Sequence, residues 1–244
     1  MDVAGLVLAT DPECGPPGSC LDALCALDGV PLIVHAVRAL QHSGAVDVVT
    51  VAAPNGAEGR VRRTLERHLS GQHVAVVDGH GPAALARACG AAEAVVLSEF
   101  RRPLAPPELV CRVVDAVRSG ADVAVPVVAV TETVKALDPG GWVVRTLARE
   151  TLGQVQSPWA LRTRFVAGVV AELTAGAGRT VWDGADRWTG PLAGAGLAGV
   201  GVVAVAGHPD AFAVRSPVDL DVAAAVLRAR RRHHGDPAAV GWTG

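Results

Sequence analysis

The chain has 244 residues, 50% of them hydrophobic, with a formal net charge of −2, a pI near 6.4 and a mean hydropathy of +0.33. That is ample apolar material for one large α/β core, and the near-neutral balance gives no electrostatic reason to expect nucleic acid or an anionic membrane as partner. No apolar run approaches the roughly 20 residues that span a bilayer, the N-terminus lacks a leader pattern, and Cys14, Cys20, Cys25, Cys89 and Cys111 are an odd set without CxxC spacing; a cytoplasmic protein with neither disulfide framework nor zinc site is expected.

In chain order, Val3–Ala9 predicts a first strand, followed by a long Gly/Pro/Cys loop, and Pro31–Ser43 predicts a helix. Val46–Ala53 reads as a strand, Glu58–Leu69 as a helix with its charges on one face, His73–Val77 as a strand, Pro82–Ala92 as a short helix and Ala94–Leu97 as a strand. This alternation predicts a single α/β domain with a doubly wound, mostly parallel sheet, helices on both faces and ligands at the carboxyl ends of the strands. Pro106–Ser119 predicts a helix with proline in its first turn. Asp122–Val128, nearly all Val and Ala, predicts a core strand covered on both faces.

At Thr131 that apolar run breaks into polar, alternating sequence. Asp138-Pro139-Gly140-Gly141 is a strong turn signal ahead of Trp142–Leu147, so a protruding β-arm is expected over 129–156. Leu161–Leu173 then reads as a helix, Thr174–Arg179 as a Gly/Ala-rich link to Thr180-Val181-Trp182-Asp183, Val200–Val205 as a strand and Phe212–Val214 as a short strand. Ser216 is an expected N-cap with Pro217 at the first helical position, opening a helix to about Arg232 whose basic end suits the helix dipole. Residues 1–232 are read as one domain and 233–244 as a tail. Lys135 is the only lysine of the sequence, and tyrosine is absent.

The order Glu132-Thr133-Val134-Lys135, Thr146, Arg149, Leu152, Gln156-Ser157-Pro158 resembles the arm of the methylerythritol-phosphate cytidylyltransferases, a family of non-mevalonate isoprenoid synthesis, with Trp159 standing where that family has glutamine. Gly29-Val30-Pro31-Leu32 with His35, Arg102-Pro103, and Phe212 through Leu220 resemble its first-helix, H-D-A-A-R-P and N-I-K-[IV]-T-x-P-x-D-L segments, so the likeness runs over nearly the whole chain. It implies a Rossmann-like nucleotidyltransferase fold, a homodimer embraced through the arm, a small phosphorylated ligand, and Mg2+ in an active member. On the sugar-phosphate side it implies Thr133, Arg149, Arg102 and Glu99 as binding residues, and Asp183 stands in its T-D-x-A slot as a weaker match. Each arginine also has a plain structural reading: Arg149 as a solvated arm charge, Arg102 as a capping residue before Pro103.

The nucleotide side departs from the family. Cytidylyl transfer needs cations and backbone N–H donors around a triphosphate. Aligned from the first strand to His35, the chain has Asp11 and Glu13 where the family's loop has glycines, Gly15 for its arginine and Asp22 for its lysine, and Ala213 for its other lysine, with Arg215 on the same strand face as a partial substitute. The nucleotide-holding G-G-x-x-R-x-x-S becomes Gly79-His80-Gly81-Pro82-Ala83-Ala84-Leu85-Ala86, without the arginine (Ala83) or the serine (Ala86). Prolines 12, 16 and 17 cannot donate N–H groups. Like charges about 4 Å apart repel by roughly 4 kcal/mol at an effective dielectric near 20, so the altered loop predicts that the cytidylyltransferase activity is lost or changed. A non-catalytic dimeric binding or regulatory paralogue, or a nucleotidyltransferase with another substrate, remain the alternatives.

Overall fold

The structure is a computed structural model that describes residues 1–9, 21–69, 74–79, 88–166 and 200–235. Val3–Leu8 (β1) is buried along its whole length, the mark of a strand with covered faces. It pairs in parallel with Val48–Ala53 (β4) and Ala94–Glu99 (β6), after the short ribbon Ala26–Leu27 (β2) and Val30–Pro31 (β3). Val74–Asp78 (β5) extends the sheet beside β4. Val123–Ala129 (β7) lies on the far side of β6, with Gly153–Val155 (β10) and Trp159–Arg162 (β11) antiparallel to it and Val202–Ala206 (β12) parallel. The path of the eight-stranded sheet is β10-β7-β11-β6-β1-β4-β5, with β12 on β7. It is the mostly parallel α/β sheet that the alternation predicts.

The helices Leu32–His42 (α1), Glu58–His68 (α2), Pro107–Arg118 (α3) and Pro217–Gly235 (α4) send Val37, Leu65, Val113 and Ala223 into one core with Val3, Val7 and Val51. Gly5 makes that approach feasible, because a Cβ there would stand 2.9 Å from Val46 Cγ1 and 3.0 Å from Leu40 Cδ1. The opposite face, with Leu6, Leu97, Val125, Trp159 and Leu161, is covered among the described residues by Ala88, Cys89, Ala92, Phe165 and Val166. The helix expected over Pro82–Ala92 falls largely outside the described residues.

The arm is present. Val134–Leu137 (β8) and Val143–Leu147 (β9) pair antiparallel, and Asp138 Oδ1 organises their turn by accepting from the backbone N–H groups of Gly140 and Trp142, both at 2.9 Å. The α4 cap is also as expected. Ser216 Oγ accepts from Asp219 N at 3.2 Å, while Asp219 Oδ2 accepts from the N–H groups of Arg215 and Ser216 at 3.0 and 2.9 Å.

Two expectations are corrected. Leu161 belongs to a strand, not to a helix: β11 fills the gap between β6 and β7, and its residues alternate in the manner of a strand, Trp159 and Leu161 entering one core and Ala160 the other. The apolar run could fit either period, and the open ladder edges on both sides decide it; residues 167–173 of the expected helix lie outside the described residues. Phe212–Val214 is not a strand. Val214 N donates to Arg101 O at 2.7 Å, and the carbonyl of Ala211, just before the segment, is taken at 2.6 Å by the Arg102 guanidinium, so a side chain takes an acceptor that a neighbouring strand would use.

Candidate functional site

The carboxyl ends of β1, β4, β5 and β6 open toward one end of the sheet, where ligands of open α/β folds bind. Gly56 N donates to Asp78 Oδ1 at 3.0 Å and Gly79 N to Ala53 O at 2.9 Å, tying the ends of β4 and β5 together. Gly79 has φ +79 and a Cβ there would stand 2.7 Å from Asn55 Oδ1, so this member of the sequence-derived set is a glycine by backbone necessity. Asp11, Glu13, Gly15, Ala83, Ala86 and Asp183 lie outside the described residues.

Asp22 opens the turn that leads into β2. Its Oδ1 accepts from Leu24 N at 3.1 Å and its carbonyl from Cys25 N at 2.9 Å. The other carboxylate oxygen, Oδ2, accepts from Arg60 Nη2 at 3.1 Å, a bond reaching from the turn to the first part of α2. Sequence reasoning did not find Arg60. Nothing but its place just inside the helix after β4 could have suggested it.

Glu99 and Arg102 are brought together. Arg102 Nε donates to Glu99 Oε1 at 2.9 Å, with both residues buried. Ser157 Oγ donates to the same carboxylate oxygen at 3.2 Å, and Arg102 Nη2 reaches Val155 O at 3.4 Å. This pair therefore locks the end of β6 to the 155–157 and 211 segments and forms a wall of the site. Next to it Gln156 exchanges two hydrogen bonds with His208, Nε2 donating to its carbonyl and Oε1 accepting from its N–H, each at 2.9 Å. The Gln156-Ser157-Pro158 motif is thus a bracket inside one chain.

Arg101, half-buried, stands beside Arg215 and Arg102. Burial first, then the charges of Arg215 and Arg102, push its guanidinium down to about 10. Ala213 lies in the 211–216 segment that Arg101 holds through Val214, so the neighbourhood of the family's missing lysine is strongly cationic.

Thr133 and Arg149 sit on the exposed arm, an element separate from the buried pair. Arg149 Nη1 donates to Thr131 O at 2.6 Å and braces the base of the arm, and Lys135 Nζ donates to Thr146 Oγ1 at 2.7 Å across its ladder. Among the described residues no cluster of three metal-ligating side chains is assembled. They do not form a cage for magnesium, and Oε1 of Glu99 already accepts from Arg102 and Ser157. No helix among the described residues is long and apolar enough to cross a membrane.

Among the described residues the arrangement offers positioning and charge, the kind of site in which phosphoryl groups are moved. Comparison with known proteins points the same way. The sequence profile of the 2-C-methyl-D-erythritol 4-phosphate cytidylyltransferase family (IspD) matches residues 19–229. The chain is 36% identical over 230 residues to the enzyme so named from Streptomyces coelicolor, covering 87% of this chain and 80% of the relative, and 34% identical over 227 residues to that of Streptomyces avermitilis, covering 87% and 86%. The fold superposes on the crystal structure of 2-C-methyl-D-erythritol 4-phosphate cytidylyltransferase from Thermus thermophilus with a TM-score of 0.65 at 26% identity, covering 93% of this chain and 100% of that one. The 4-diphosphocytidyl-2C-methyl-D-erythritol synthase of Anaerococcus prevotii shares the fold, with a TM-score of 0.71 at 16% identity over 93% and 98% of the chains. With its β-arm, its buried Glu99–Arg102 wall and a match that spans most of its length, the chain belongs to the 2-C-methyl-D-erythritol 4-phosphate cytidylyltransferase family.

Proposed function

We propose that this chain receives a phosphorylated polyol of the methylerythritol phosphate type in isoprenoid biosynthesis, but meets the nucleotide with a rebuilt site, so that cytidylyl transfer from CTP is lost or changed. In the family reaction an oxygen of the sugar phosphate forms a bond to the α-phosphorus of CTP while the bond from that phosphorus to the bridging oxygen breaks, and pyrophosphate leaves. Negative charge gathers on the transferred and leaving phosphates, and fixed cations stabilise it. The observation that carries the reading is the carboxylate of Asp22 in the lysine position, fixed by the Leu24 N–H and bonded to Arg60.

The sugar-phosphate side draws on Arg149 and Thr133 on the arm and on the cationic ground of Arg101 and Arg215 beside Ala213. A homodimer through the arm belongs to the same reading, because Trp142, Val143 and Val144 are 77%, 62% and 63% exposed on a two-stranded ribbon that needs a partner surface. So does a cytoplasmic location, where CTP is available. Magnesium would come with the nucleotide and shield its phosphates.

Pyrophosphate release from CTP and methylerythritol 4-phosphate, measured beside the Streptomyces coelicolor relative, tests the reading. Losing a single hydrogen-bond donor to the developing charge costs about 100- to 1,000-fold, so turnover at least about 100-fold below that relative is expected, with methylerythritol phosphate still bound in calorimetry. Equal turnover would overturn it.

A further inference from the structure

We propose that Arg60 is the cation that meets a polyphosphate at this end of the sheet, and that Asp22 is the residue that positions it. The proposal rests on the nucleotide side of the reading above and narrows it from lost to changed. Three observations meet here. First, α2 starts after a four-residue turn (54–57) that follows β4, and Arg60 is its third residue, so the side chain leaves the helix near the carboxyl end of the parallel strands. Second, Asp22 emerges from the loop that follows β1 and is itself fixed, Oδ1 on Leu24 N and the carbonyl on Cys25 N, which leaves Oδ2 to hold Arg60 Nη2 at 3.1 Å. Third, the Arg60 and Asp22 side chains are 61% and 51% exposed, so the rest of the guanidinium faces solvent from which an anion would arrive.

Guanidinium carries several N–H donors in a planar fork, and a carboxylate that takes one of them leaves the others aimed. An aspartate in the loop then has a function that simple repulsion would deny it: the positive charge is moved from the loop onto α2, and the loop supplies the anchor. Of the arginines that follow on α2, Arg62 is engaged elsewhere, bonding Glu58 and the Val76 carbonyl on the outer edge of the sheet, while exposed Arg63 lies one turn along from Arg60. An exposed ion pair contributes at most about 1 kcal/mol to stability, so variants at either position fold.

The test is calorimetric titration with inorganic triphosphate, and separately with CTP and magnesium, on the unaltered chain, Arg60→Ala, Arg60→Lys, Asp22→Asn and the double variant Arg60→Ala/Asp22→Asn, with melting temperatures as the fold control. Arg60→Ala should weaken triphosphate binding about tenfold, or 1.4 kcal/mol, and Arg60→Lys should recover part of it. Asp22→Asn should also weaken binding although it removes a negative charge, whereas in the Arg60→Ala background the same change should tighten it. A purely structural pair would move the melting temperature and not this sign reversal. Unchanged affinity in Arg60→Ala overturns the proposal, as does tighter binding in Asp22→Asn alone or failure of the unaltered chain to bind either probe. Pyrophosphate release on the same proteins separates the two readings: triphosphate binding that depends on Arg60 keeps this one whether turnover matches the Streptomyces relative or falls short.

Discussion

Arg102 donates from Nη1 to the carbonyl of Ala211 at 2.6 Å, joining positions 109 residues apart in the chain. The bond closes the segment that carries Ala213 and Arg215 against the end of β6, beside the Glu99 carboxylate that the same guanidinium holds through Nε.

Arg102→Ala should therefore act first on the fold. Arg102 is 3% exposed and Glu99 7%, and removing one partner of a buried pair leaves the other charge uncompensated at a cost of about 3–5 kcal/mol. Denaturant unfolding should show that loss. The double replacement Glu99→Gln/Arg102→Met should recover a large part of it; a stable single variant would mean that the guanidinium serves the ligand rather than the wall.

Asp219 gives a pH dependence with a definite sign. Burial pushes its carboxyl up, but the N–H groups of Arg215 and Ser216, the Ser216 hydroxyl and the Arg215 charge together hold it below the usual aspartate value. A depressed folded value means that the stabilisation is present above the unfolded pKa, near 3.9, and is lost as pH falls through the lower folded value. Asp219→Ala should cost about 1 kcal/mol at neutral pH through loss of the cap. In thermal melts its deficit against the unaltered chain should shrink below about pH 4.

Gly79→Ala should destabilise by about 1 kcal/mol or more, since alanine is strained at positive φ. Its new methyl would meet Asn55 Oδ1, the end of a side chain that can turn away. Asn55→Ala should accordingly not rescue the variant in urea titrations, because the backbone strain remains.

On the arm, Trp142→Ser with Val144→Ser removes exposed apolar surface and should leave the melting temperature nearly unchanged while converting a micromolar dimer to monomer in sedimentation. Arg149→Ala, which removes the brace to the Thr131 carbonyl, should weaken the dimer without abolishing it. A chain that sediments as a monomer before any change would dispose of the arm-mediated dimer.

Restoring the family's lysine tests the same pair. Asp22→Lys would remove the carboxylate that bonds Arg60 and leave two cations side by side, with a repulsion of at most about 1 kcal/mol between side chains this exposed. Asp22→Lys combined with Arg60→Ala should bind triphosphate more weakly than Asp22→Lys alone, as titration calorimetry can measure.

The α/β alternation, the arm with its Asp138–Gly141 turn and the Ser216–Asp219 cap were legible in the sequence, because period, turn chemistry and capping act between residues a few positions apart. Composition and motif order likewise carried the family. What the tertiary structure decided is whatever depends on which distant segments meet. Leu161 became strand because β6 and β7 left their ladder edges open on either side of it. Val214 gained its backbone partner Arg101, and Arg102 its carbonyl at Ala211, only because the 211–214 segment folds back against the residues that follow β6. An aspartate in place of a lysine reads along the chain as plain repulsion; folding brings Arg60 to it, since charges act through space and the sequence orders them only along the backbone.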